Sequence, residues 1–209
     1  MYPTRSKKKK RRVRRRLHRI AARSVVLVED ETDLLLFPPL RATWSQLGEQ
    51  SRVVLSGRDA KRVLFGALNL GTGERVFVRR ERHSANDFCQ FLHAVRIRYP
   101  ARPIALVLDE DPSHTAQQSR RLAAELAIEF VFLPHRSPEL NPMESLWRHG
   151  KQKVCADRQY RDIVEETMAF VHLLNSLSDE QALTTAGVMS ESFWLRQVRA
   201  KLLRYAPQS

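Results

Sequence analysis

Two short runs without a polar break limit what this chain can fold into: "IALVLD" from Ile104 to Asp109 and "EFVFL" from Glu129 to Leu133. A strand that shows almost no polar alternation has both faces covered, as in a central parallel strand between helices. Between the two runs, "SRRLAAELAI" has helical spacing, so the segment is a strand–helix–strand unit. Upstream, "SVVLVEDE" (Ser24 to Glu31) is a β-branched run that ends in acids. "RVLFGALNL" (Arg62 to Leu70) and "RVFVRRER" (Arg75 to Arg82) flank Gly71-Thr72-Gly73 and predict an antiparallel hairpin. Ser84 or Asn86 can cap a helix to about Tyr99, with Phe88, Leu92 and Val95 on its apolar face and Pro100 beyond its end. Hairpin strands first, then strand and helix alternating, predict an α/β fold: a mixed five-stranded sheet with helices on both faces.

Charge is concentrated at one end. The 209 residues carry a formal net charge of +13, and 12 of the 36 Lys and Arg fall within residues 1–23, where there is no acid. That leaves 24 basic residues against 23 acidic ones in the rest, so the body is nearly neutral. Residues 1–23 are expected to be a disordered or frayed helical tail that binds polyphosphate by counterion release, without reading sequence. Its candidate nucleic-acid contacts are Lys7, Lys8, Lys9, Lys10, Arg11, Arg12, Arg14, Arg15 and Arg16. A solvated tail, or a segment packed against something outside the chain, is the bland alternative. No apolar run nears the roughly 20 residues of a membrane span, and no secretory core follows the basic start. Cys89 and Cys155 have no zinc spacing. The expectation is a cytoplasmic, nucleoid-associated protein with no membrane partner.

Three acids stand where a hydrophobic element stops. Asp30 ends the first run, Asp109 closes "IALVLD", and Glu144 opens a helix in "FVFLPHRSPELNPMESLW". In that last stretch Pro134 and Pro138 keep the chain extended, Asn141 offers an N-cap, and Pro142 takes the first helical turn. Glu144 then falls at the third helical position, where the helix N-terminus favours its ionised form. A capping-box bond back to Asn141 is the competing role. Strand ends in such a sheet converge on one crevice. Three carboxylates there repel one another, raise their own pKa values and suit Mg²⁺ or Mn²⁺. Two such ions about 4 Å apart can activate an attacking oxygen and stabilise a leaving one in phosphodiester cleavage. Acids at strand ends also serve as plain turn formers.

These stretches resemble the catalytic region of DDE transposases, in the bacterial insertion-sequence group related to mariner elements. "VEDETDLLLFPPLRATWSQLG" carries Asp30, Trp44 and Gly48, and "LVLDEDPSH" carries Asp109 and His114. "FLPHRSPELNPMESLWRHGK" carries Leu133, Pro134, Ser137, Pro138, Leu140, Asn141, Pro142, Glu144, Trp147 and Lys151, with 34 residues between Asp109 and Glu144 as in the family. The match covers about residues 24–155. The resemblance implies an RNase H-like catalytic domain, which we bound at 24–160, with C-terminal helices over 161–209 packing on it. It implies Asp30, Asp109 and Glu144 as a catalytic triad binding Mg²⁺ or Mn²⁺, two ions in all. Their work would be nicking DNA at element ends, followed by attack of the freed 3′-hydroxyl on target DNA. Glu29 and Glu31 compete for the first position. Asp30 is preferred because alternation places it opposite both and because it begins the Asp-Glu pair. Element ends and target DNA are the implied partners, with Trp44, His114 and Lys151 as further candidate contacts; a structural hydrogen bond near Asp109 competes for His114, and a buried anchor in its loop for Trp44.

The chain departs from that pattern in places. Glu110 stands where the family usually has Asn, Gly150 where a hydrophobic residue is usual, and His135-Arg136 where the pair is commonly apolar or aromatic. The family's helix-turn-helix region has no room before Ser24, so a separate upstream helix-turn-helix polypeptide is a candidate companion. A remnant that only binds DNA is the alternative function; a stand-alone RNase H-like nuclease acting on structured nucleic acid is a third. His18, His83, His93, His135, His149 and His172 show no ligand spacing. Helices over about Asp162 to Leu177 and Ser190 to Tyr205 carry no motif, and their apolar faces suit packing or a homodimer surface.

Overall fold

The computed structural model describes residues 5–36, 59–156 and 158–205. Trp44 and Gly48 lie outside them. The sheet has five strands in the order β3-β2-β1-β4-β5, where β1 is Val25–Leu35, β2 Lys61–Asn69, β3 Arg75–Arg80, β4 Ile104–Leu108 and β5 Ile128–Phe132. β1 pairs antiparallel with β2 and parallel with β4, and β4 pairs parallel with β5. This is the expected mixed sheet; β1 is its middle strand and β4 beside it is wholly buried.

β1 is longer than its sequence suggested. It runs on past Asp30 to Leu35 because the alternation Asp30, Thr32, Leu34 against Glu31, Asp33, Leu35 continues a strand pattern through the acids. What stops near Asp30 is the parallel pairing: β4 matches β1 only from Val25 to Val28. Beyond Val28 one edge of β1 is open, and the crevice starts there.

Each sheet face has its own core. Val25 and Leu27 point to the side covered by α2 (Ala85–Arg98) and α4 (Gln117–Glu125), where Phe65, Phe88, Phe91 and Leu92 are fully buried. Val26, Val28 and Leu34 point to the other side, against α5 (Met143–Gly150), α6 (Ile163–Ser176) and α8 (Arg196–Arg204). α3 (Pro112–Thr115) is one turn after β4, and α7 (Asp179–Thr185) was not foreseen. A Ser178–Gln181 capping box starts α7. Ser84 caps α2 as expected, and α8 begins later than expected, at Arg196.

The basic tail is not a loose appendage. Arg5–Ile20 forms α1, whose Val13, Leu17 and Ile20 are buried in the core on the α5 side. Lys201 donates to the His18 carbonyl at 2.8 Å, Lys10 lies over the Trp194 ring, and Arg16 pairs with Glu129 at 2.7 Å. The spacing i, i+4, i+7 gives the helix one apolar stripe, and burying that stripe offsets the self-repulsion of the charge run.

Candidate active site

Asp30, Asp109 and Glu144 line one open hollow of about 730 Å³. Each comes from a different element. Asp30 sits on the open edge of β1, Asp109 follows β4, and Glu144 lies in the first turn of α5. The proline-rich segment aims the third. A 3₁₀ turn at Pro138–Leu140 follows β5, held by the Trp194 indole donating to the Leu140 carbonyl at 2.8 Å. Asn141 then works in two directions: its Oδ1 accepts from the Met143 N–H, and its Nδ2 donates to the Glu29 carbonyl at 2.8 Å. The start of α5 is thereby tied to β1. The Asn141 N–H is already bonded to the Pro138 carbonyl, so the capping-box role for Glu144 does not form. Glu144 is half-buried and its carboxylate has no hydrogen-bond partner among the described residues.

Alternation separates the acids of β1 as expected. Asp30 faces α5, where Trp147 Nε1 donates to its Oδ2 at 3.0 Å. A Cβ on Gly66, the β2 partner of Asp30, would overlap the Trp147 ring; only glycine lets the indole lie across the sheet. Burial, then the charges of Glu144, Glu31 and Asp109, push the Asp30 carboxyl up to about 8. Gly150 has a similar reason to be there: a Cβ would stand 2.6 Å from Phe170 of α6. A π-helical turn over Lys151–Cys155 follows, and Lys151 and Arg148 join the hollow's wall.

Glu29 and Glu31 face the opposite side and surround His114. His114 is 1% exposed, with Nε2 2.8 Å from Glu31 Oε1 and Nδ1 3.0 Å from Asp109 Oδ1. Burial opposes its charge, but Glu29, Asp109 and Glu31 together raise its pKa to about 11. His114 therefore bridges β1 to Asp109 as a cation and presents no free nitrogen to a ligand. Its hydrogen bond is also the main reason Asp109 is held below the usual carboxylate range. Glu29 is fully buried, its oxygens make no hydrogen bond among the described residues, and burial raises its pKa well above normal.

No ligand spacing singles out His83 in the sequence. Its Nε2 lies 2.8 Å from Glu31 Oε1, and Glu31, His83 and His114 have ligand atoms within 4.8 Å of one another, close enough to hold a metal. In the structure those atoms are hydrogen-bonded to each other instead, which makes the trio a brace for Asp109. A lone histidine in an exposed turn carries no sequence signal for that pairing.

The family profile described as DDE superfamily endonuclease matches residues 25–165. The chain belongs to this family. A relative from Shigella sonnei, the insertion element IS630 uncharacterized 39 kDa protein, is 27% identical over 168 residues, covering 79% of this chain and 49% of the relative. The chain thus spans about half the length of the curated relative it matches. Among solved structures, the mariner Mos1 paired-end complex with Mg superposes with a TM-score of 0.67 at 17% identity, covering 96% of this chain and 63% of that one. The catalytic domain of Mos1 mariner transposase gives 0.59 at 16% identity, with 96% of each chain covered. These likenesses establish the RNase H-like fold of a DDE endonuclease. Within that fold Glu110 is exposed, and it walls a hollow shared with Asp30, Asp109 and Glu144.

Proposed function

We propose that this chain is the catalytic portion of a transposase, cutting DNA phosphodiester bonds at element ends and transferring the freed strand to target DNA. The observation that carries the reading is three carboxylates from three elements on one hollow, with Asp30 raised to about 8 by burial and by the charges of its neighbours. An all-oxygen donor set whose members repel one another fits a divalent cation that restores the charge balance. Asp30, Asp109 and Glu144 would hold Mg²⁺ or Mn²⁺. A bound pair supplies Lewis-acid activation of the attacking oxygen and stabilisation of the leaving one. The chain's own residues do the positioning. Trp147 fixes Asp30, His114 fixes Asp109, and the Asn141 bridge fixes the helix that carries Glu144. Lys151 and Arg148 line the same hollow and would meet the substrate phosphate.

The relatives described as paired-end and strand-transfer complexes support extending the reading to two element ends and a target, with a second copy of the chain as partner. No helix among the described residues is long and apolar enough to cross a membrane, and we place the activity at chromosomal DNA in the cytoplasm. The test is incubation of the purified chain with duplex DNA and Mg²⁺ or Mn²⁺. Nicking is expected, and Asp30→Asn, Asp109→Asn and Glu144→Gln each abolish it. Nicking that survives all three changes rules the reading out. Glu110 beside the acids favours one rival, a DNA-binding remnant; that rival predicts salt-sensitive binding with no metal response.

A further inference from the structure

The carboxylates also border a second hollow, of about 230 Å³, walled on its far side by Leu133, Pro134 and Arg136. A third, of about 290 Å³, shares Glu110, Leu133 and Pro134 with it and is bounded beyond them by Lys9, Arg12 and Arg16 of α1. A trough therefore runs from the acidic cluster, past the end of β5, to one edge of the basic helix. Lys9, Arg12 and Arg16 are spaced by three and four residues, so they form a row beside the buried stripe of Val13, Leu17 and Ile20. About 4.5 and 6 Å separate them along the helix axis. The row is fixed in place by the buried stripe, by the Arg16–Glu129 pair and by the Lys201 bond to His18. A long shallow channel with cations on one wall suits an extended polyanion better than a small ligand.

We propose that this trough carries the DNA leaving the cleavage site, with Lys9, Arg12 and Arg16 contacting its phosphates. The proposal rests on the carboxylates being a DNA-cleaving site. It differs from binding by a diffuse charged tail, because one face of α1 is assigned the contact. Lys8, Arg11 and Arg15 lie on the adjoining face, where they share a separate hollow of about 1040 Å³ with Arg12 and Arg16, and they do not border the trough.

Fluorescence anisotropy with a short duplex of arbitrary sequence, in EDTA, compares two triple variants of equal charge loss in the full chain. Lys9→Gln/Arg12→Gln/Arg16→Gln is expected to weaken binding roughly tenfold or more and to reduce the salt slope by about 2.7, at about 0.9 for each phosphate contact. Lys8→Gln/Arg11→Gln/Arg15→Gln is expected to cost no more than roughly threefold. Equal losses overturn the proposal. Lysine-acetylation footprinting of the unmodified chain avoids any folding defect of the variants. Bound DNA should protect Lys9 while Lys8 stays reactive; equal protection of both overturns the proposal. Row-specific binding without metal-dependent nicking would instead remove the cleavage reading, since binding in EDTA needs no chemistry.

Discussion

At the scale of single residues, the site is a set of acids kept apart by the strand's alternation and braced by two rings. Asp30 is the one whose proton matters most. Its folded pKa of about 8 lies above an ordinary unfolded value of about 3.9. The folded state therefore retains a proton there that the unfolded chain loses between those values, and the group costs stability as pH rises through that window. Protons and Mg²⁺ compete for the same oxygens, so Mg²⁺ affinity measured by calorimetry should rise with pH up to about 8 and then level off. Asp30→Asn should melt higher than the parent protein at pH 9 without metal, and lose its response to Mg²⁺. His114 has the opposite sign. Its pKa of about 11 lies above the unfolded value of about 6.5, so its stabilisation is complete below the lower figure and is lost as pH climbs through the higher. His114→Ala strands buried acids without their cation and should cost about 3–5 kcal/mol in urea denaturation. Of these residues, the facing of Asp30, opposite Glu29 and Glu31, was legible from strand alternation. A structural hydrogen bond for His114 near Asp109 was also among the readings, but its second bond, to Glu31 on β1, was not, since no spacing rule reveals that turn.

At the scale of elements, glycine and buried stripes decide the geometry. Gly66→Ala drives a methyl group into Trp147, the residue that holds Asp30, and overpacking of that kind costs about 1–3 kcal/mol. Denaturation followed by tryptophan fluorescence should show the loss together with an altered native spectrum. Leu17→Ala, in the stripe that docks α1, should cost about 2–5 kcal/mol by the same measurement; no change would mean that the helix is not docked in solution. The hairpin, β4 and α2 were readable from periodicity and caps; β5 was readable as a strand, but it lies at the edge of the sheet with Glu129, Phe130 and Phe132 half-buried, not at its centre. β1 was cut short because its acids looked like an end, whereas a strand can carry acids on its faces where a neighbouring strand has stopped. The docking of α1 was hidden by composition. Val13, Leu17 and Ile20 have helical spacing, but twelve cations in the surrounding 23 residues point to a solvated chain. Gly150, where the family usually has a hydrophobic residue, is where Phe170 packs.

At the scale of the whole molecule, the mixed sheet and its crevice were expected from the order of strands and helices along the chain, whereas the family was expected from the motifs around Asp30, Asp109 and Glu144. A protein that binds a cation only when folded gains stability from it: Mg²⁺ at about 100 times its dissociation constant should add about 2.7 kcal/mol. Scanning calorimetry should show a melting point several degrees higher with Mg²⁺ than with EDTA, and no such rise in Glu144→Gln. A parent protein that fails to respond favours the DNA-binding remnant. The docked helix also affects how the protein finds its substrate. Because a third of the Lys and Arg sit within the first 23 residues, and α1 is clamped to a nearly neutral body, the molecule carries a strong permanent asymmetry of charge. A polyanion would turn it during diffusion, before contact, so most collisions would begin with α1 foremost and the acidic cleft already facing along the duplex. The arrival rate should then be high in dilute salt and fall steeply as salt is added.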